Sequence, residues 1–241
     1  EFSFFFSADG GKIWTELGAG LPDIPVRDIA IQEREHDLVI ATFGRGFYIL
    51  DNYDPLRHAD IQSLQANEAI LFPVKDAWMY NEKGARYGTG STYFTAPNPE
   101  YGAVFTYYLK EVPKTKKELR LKKEKELFKN ADPIPQPTRE DLLKEEDETA
   151  PYLIFTIRDE EGGIVRKLYH QAKAGINRVN WRLRYDNPSA RDADKANFKT
   201  TANNQDGMMI LPGKYTVDLA MNHDGKITEF ASAQSFEAKV L

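Results

Sequence analysis

The chain has 241 residues, enough for one large domain or two modest ones, and its 41% hydrophobic and 29% charged content with 14 Phe, 12 Tyr and 3 Trp excludes a disordered chain. A formal net charge of −5 argues against a general nucleic-acid surface, which needs a basic excess over a face. With no cysteine, disulfides, Cys-ligated zinc, iron–sulfur clusters and thiol nucleophiles are ruled out, and no run of about 18 apolar residues exists to span a bilayer.

The sequence opens at Glu1-Phe2-Ser3-Phe4-Phe5-Phe6 without an initiator Met or a signal-peptide pattern, which reads as a fragment or processed product cut inside a strand. Apolar runs at 2–6, 13–17, 26–31, 38–42 and 47–50 alternate with the turn formers Ala8-Asp9-Gly10-Gly11, Gly18-Ala19-Gly20-Leu21-Pro22 and Glu33-Arg34-Glu35-His36, predicting an antiparallel meander over 1–55. The rhythm is then lost: Asp54-Pro55-Leu56-Arg57, a short helix near 60–64 and a glycine-bearing stretch at 83–90 predict a connector over 56–92. Strands resume at 103–109, 152–157, 164–169, 178–183, 213–221 and 227–240, with hairpin turns at 159–163 and 222–226. This spacing predicts a sandwich of about seven strands over 93–241.

Within that sandwich lies a charged insertion, 114–148. Residues 114–129 carry eight Lys or Arg and three Glu, with Lys114/Glu118, Glu118/Lys122 and Lys122/Glu126 spaced to pair along a helix. Asp132-Pro133-Ile134-Pro135-Gln136-Pro137 stops it, and Thr138-Arg139-Glu140-Asp141 has the form of a capping box opening an acidic helix through Leu142 to Asp147. The bland expectation is a solvated excursion without a binding role, with the two oppositely charged helices lying near each other.

The most specific local motif is Ser7-Ala8-Asp9-Gly10-Gly11-Lys12-Ile13-Trp14, which matches the Asp-box pattern at Ser7, Asp9, Gly11 and Trp14. Such a turn needs Ser and Asp oxygens to accept backbone N–H bonds, glycine to take left-handed dihedrals, and an aromatic anchor, expected here from burial of the Trp14 ring. Asp9 is therefore expected to be structural rather than a catalytic acid or metal ligand.

With Gly20-Leu21-Pro22, Val26-Arg27-Asp28-Ile29-Ala30-Ile31 and the stretch Leu38-Val39-Ile40-Ala41-Thr42-Phe43-Gly44-Arg45-Gly46-Phe47-Tyr48-Ile49-Leu50-Asp51, this box resembles the closing blades of BNR-repeat, sortilin-like β-propellers. The resemblance covers about the first 55 residues. It implies partial propeller blades, further blades upstream as partners, and a periplasmic or extracellular location. It also implies that the glycosyl-hydrolase label common among bacterial members rests on the repeat shared with sialidases, not on chemistry in the box itself. Arg45, between two glycines that let backbone approach a partner, is the candidate for a ligand or inter-blade contact.

Further on, Gly175-Ile176-Asn177-Arg178-Val179-Asn180-Trp181 and Leu211-Pro212-Gly213-Lys214-Tyr215 resemble the flagellar-hook-cap-type (FlgD-like) immunoglobulin-like domain. Trp181 is the expected plug between its sheets. The 114–148 insertion and the polar stretch 187–205 depart from that pattern.

The remaining constellations are negative. His36, His58, His170 and His223 lack metal-ligand spacing, Gly88-Thr89-Gly90-Ser91 lacks the lysine of a phosphate loop, and no Gly-x-Ser-x-Gly occurs. The expectation is an all-β chain, partial blades followed by an immunoglobulin-like sandwich, with no catalytic residue, metal or cofactor of its own. Its role would be to bind protein, peptide or glycan, or alternatively to serve as accessory module to a sialidase-like glycoside hydrolase with its catalytic residues upstream. The apolar side chains Phe4, Phe5, Phe6, Ile29, Ile31, Val39 and Ile49 need a cover, expected from the same chain's sandwich or connector.

Overall fold

The structure, a computed structural model, describes residues 3–18, 20–59, 61–81, 90, 92, 95–96, 98–188, 206–230 and 233–241. Phe2, most of 83–90 and most of 187–205, on which expectations were placed, lie outside them. The chain is all-β with short helices, and it divides into two compact units: Glu1–Asn67 with Gly84–Glu100, and Glu68–Lys83 with Tyr101–Leu241.

In the first unit β1 (Phe5–Phe6) pairs antiparallel with β2 (Thr15–Glu16), and β3 (Val26–Gln32), β4 (Asp37–Thr42) and β5 (Phe47–Leu50) form the expected meander in sequence order. Two short helices follow, α1 (Asp54–Arg57), with Pro55 in its first turn where no N–H is needed, and α2 (Ile61–Ala66). Tyr53 N–H donates to His36 O at 2.7 Å, Asn52 N–H to Asp37 Oδ1 at 2.9 Å, and the His36 ring pairs with the Asp54 carboxylate, tying α1 to the β3–β4 turn.

Directly paired residues share a face, so Ile29, Ile40 and Tyr48 with Ile31, Leu38 and Leu50 line one side of this sheet, and Ala30, Val39 and Ile49 with Asp28, Ala41 and Phe47 line the other. Leu38 and Ile40 are buried. Among the described residues Ile29, Ile31 and Ile49 are nevertheless each half or more exposed and Phe5 nearly so. The reason is geometric. Ile29 and Ile31 point to one face and Val39 and Ile49 to the other, so a single layer could not have covered the set.

In the second unit residues expected to be connector are strands: β6 (Ala69–Leu71) and β7 (Ala77–Met79), held because Ala69, Leu71, Ala77 and Met79 are buried in its core. The others are β8 (Ala103–Leu109), β9 (Tyr152–Arg158), β10 (Ile164–Gln171), β11 (Gly175–Trp181), β12 (Arg184–Asp186), β13 (Asp206–Met209), β14 (Gly213–His223), β15 (Lys226–Glu229) and β16 (Gln234–Val240). One sheet runs β10-β9-β14-β16-β7, with β15 also on β14; another runs β11-β8-β6; β12 and β13 form a separate ribbon. Among the described residues these pairings are antiparallel except that of β16 with β7.

The two larger sheets share one core. The Phe105 ring of β8 stacks on Phe155 of β9 with centroids 5.9 Å apart, and Trp181 meets Tyr215 and Phe236 edge-on at 5.8 and 6.2 Å. Such pairs add about 0.5–1.5 kcal/mol to the burial of their rings. Trp181, 1% exposed, is the expected plug, and its Nε1–H donates to Arg184 O at 3.0 Å. The strand expected at 178–183 sits earlier, at Gly175–Trp181, because Leu183 takes a left-handed φ of 53° and turns the chain.

The insertion forms α3 (Lys116–Lys129) and α4 (Arg139–Glu146). Thr115 and Glu118 close a capping box that starts α3 two residues later than expected, and Thr138 with Asp141 closes the expected box of α4. The helices touch through a forked pair, Arg120 Nε to Glu145 Oε1 at 2.6 Å and Nη2 to Oε2 at 2.8 Å, as their opposite charges led us to expect.

Candidate functional site

The turn from Ser7 to Trp14 is built as its residue types require. Asp9 Oδ1 accepts from Lys12 N–H and Ile13 N–H, both at 3.0 Å, and from Ser7 Oγ–H at 2.7 Å, while Ser7 Oγ accepts from Gly11 N–H at 2.8 Å. Gly10 and Gly11 take φ of 73° and 90°, a region costly for other residues. The hydrogen bond from Ile13 N–H, then that from Ser7, holds the Asp9 carboxyl below its usual range, so it is an anion engaged by its own turn. The anchor differs from expectation. Trp14 is 62% exposed and folds back over the turn, its Nε1–H donating to Gly11 O at 3.1 Å. Burial needs a surface to pack on, and a local motif does not carry one.

Arg45 lies at the tip of the β4–β5 hairpin. Thr42 N–H and Oγ1–H both donate to Gly46 O, at 3.0 and 2.8 Å, and Gly44 and Gly46 have φ of 76° and 75°, which closes the turn and leaves the Arg45 side chain in solvent. It makes no hydrogen bond or ion pair among the described residues. Beside it Phe43 N–H donates to Pro25 O at 3.0 Å, and the Arg27 guanidinium stands 4.8 Å from the centroid of the Phe43 ring. Phe43 and Phe47 flank the tip, Phe47 being 75% exposed. The sheet end therefore presents two guanidinium groups and two phenyl rings to water.

Arg27, Phe43 and Phe47 were absent from the sequence-derived site. Phe47 was read only as the first residue of a strand, and in the sheet it stands opposite Ala41 and Asp28, small and polar neighbours on its face. Also unforeseen was Arg166 of β10, a buried guanidinium. It donates to Arg184 O at 3.1 Å, Tyr185 O at 3.2 Å and Asp206 Oδ1 at 2.7 Å, with Asp186 Oδ1 at 3.3 Å from its Nε, and so anchors the β12–β13 ribbon. A charged residue inside an apolar strand pattern gives no sign of which carboxylates will neutralise it.

His36 is paired with Asp54, and His170 and His223 sit in β10 and β14, which are not neighbours in their sheet. Among the described residues no three His, Asp or Glu side chains gather as a metal-binding group, and no helix is long and apolar enough to cross a membrane. No family model matches the chain, and neither a curated protein nor a solved structure matches it significantly.

Proposed function

We propose that this chain is a non-catalytic recognition module of an exported β-propeller protein of the sortilin-like, Asp-box class, with protein, peptide or glycan as ligand. In this reading β3–β5 are strands of a blade, the Asp box is a folding device, and the second unit is an immunoglobulin-like support. Neighbouring blades are the partners that would cover the open faces of β3–β5.

The observation that carries the reading is the β4–β5 tip. Arginine and aromatic side chains dominate binding hot spots, because each removes a large apolar area from water while keeping a directional polar or charged group. Arg45, held out by Gly44 and Gly46 and without a hydrogen-bond or ion-pair partner among the described residues, has the first role; Phe43 and Arg27 stand beside it. The engaged Asp9 carboxylate leaves the Asp box without an acid to offer.

The test is a peptide and glycan array probed with the whole chain, repeated with Arg45→Ala and Phe43→Ala. Both side chains are exposed, so melting should stay unchanged while retained ligands weaken by about tenfold or more. Ligands that bind both variants as tightly as the parent would remove the tip from the reading.

A further inference from the structure

We propose that the cleft between α3 and α4 is a second binding site, for an extended acidic segment of a partner protein. It does not depend on the role of the β4–β5 tip.

Neither helix buries a residue, so the hairpin adds nothing to the sandwich core; it is ordered by its two capping boxes and the Arg120 fork. Between the helices lies a cleft of about 400 Å³, within the range that holds small ligands and short peptide pieces. Its acids are already committed. Glu145 takes the Arg120 fork, Glu124 accepts from Arg120 Nη1–H at 2.7 Å, and Asp141 Oδ2 accepts from Thr138 Oγ1–H at 2.6 Å. Lys116 is likewise held, by Asp224 at 2.9 Å and by Glu148.

What remains is Lys123 on one wall and Lys144 on the other, neither in an ion pair among the described residues, although Asp141 one turn away attracts Lys144. The apolar surface of the cleft is Leu127, Pro135 and Pro137. Gln136 lines it as well and has no hydrogen-bond partner among the described residues. Two ammonium groups outside any ion pair among the described residues, beside apolar surface, suit carboxylates carried on aliphatic stems. The Gln136 carboxamide offers both a donor and an acceptor, the complement of a peptide group. Together these features select a peptide carrying Glu or Asp beside leucine-like side chains.

The experiment is fluorescence anisotropy with the whole chain and a short labelled peptide containing Glu and Leu, beside its Gln and Leu counterpart. The Glu peptide should saturate, and the Gln peptide should bind about tenfold more weakly or worse, as should the Glu peptide to the Lys123→Glu, Lys144→Glu double variant. Added salt should weaken the parent complex more than that of the double variant. Both lysines are exposed, and an unchanged far-UV spectrum verifies the fold of the variant. Arg45→Ala should leave this binding intact, which separates the cleft from the β4–β5 tip. No saturation by the Glu peptide, equal binding of the two peptides, undiminished binding to the double variant, or loss of binding on Arg45→Ala would each overturn the proposal.

Discussion

Trp181 and Trp14 stand at opposite extremes of burial, and their replacement by alanine should differ in the same sense. Trp181→Ala removes a ring that bridges both sheets and touches Tyr215 and Phe236, a change that typically costs about 3–5 kcal/mol through lost transfer energy and the cavity left behind. Trp14→Ala removes a ring already in water and one exposed hydrogen bond, a surface change worth about 0.5 kcal/mol or less. Urea unfolding of the two variants measures both; a Trp14→Ala midpoint shifted as far as that of Trp181→Ala would contradict the open conformation of the Trp14 ring. The two tryptophans also mark how far a motif speaks. The Gly-x-Asn-x-x-x-Trp spacing sits in a strand whose neighbours supply a core, whereas the turn from Ser7 to Trp14 specifies its own hydrogen bonds and nothing beyond them.

At the scale of elements, the α3–α4 hairpin is held by charge, so it should respond to pH. The Arg120 guanidinium, by its hydrogen bonds, holds the Glu145 carboxyl below the usual range, and Thr138 does the same for Asp141. A carboxyl depressed in the folded state stabilises fully above its unfolded value, about 4.3 for Glu, and that contribution is lost as pH falls through the lower folded value. Helical circular dichroism should thus hold steady from pH 7 to about 5 and decline below 4. Glu145→Gln should show the weakened signal already at pH 7 and a shallower decline. A parent signal unchanged down to pH 2 would exclude the fork as what joins the helices.

These helices were legible because ion-pair spacing and a capping box are local facts. So were β8, β9 and β14, long apolar or alternating runs with readable turns. β6, β7, β12 and β13 were not, since three or four residues show no period and are strands only because a neighbour supplies their hydrogen bonds. The Arg27, Phe43, Arg45 and Phe47 cluster was legible only in Arg45, because the others depend on a cross-strand register that the glycines alone do not announce.

At the scale of the whole molecule, the all-β class followed from composition and turn spacing, but the division into units did not, because β6 and β7 join a core built from residues far along the chain. Each unit carries its own expectation. The first leaves Ile29, Ile31 and Ile49 open on its three-stranded sheet, an apolar surface of the kind partners or dyes occupy. The chain should therefore enhance the fluorescence of anilinonaphthalene sulfonate while natively folded, and Ile29→Thr with Ile31→Thr, which keeps β-branched side chains in the strand, should lower that signal without lowering the content of β structure. Equal dye binding by parent and variant would show that the surface lies elsewhere.

The parallel pairing of β7 with β16 has a consequence in time. Asp76, just before β7, accepts from Glu237 N–H across 161 residues, whereas β3 to β5 pair within one short meander. On a ribosome adding about 5–20 residues each second, β7 waits on the order of 10–30 s after its own synthesis before its partner emerges. During that wait Ala77 and Met79, buried in the finished fold, face water beside an unpaired strand edge. The meander can close at once and the sandwich cannot, so the nascent chain passes through a stage in which its early strands are complete and a later apolar segment still depends on chaperones or on speed.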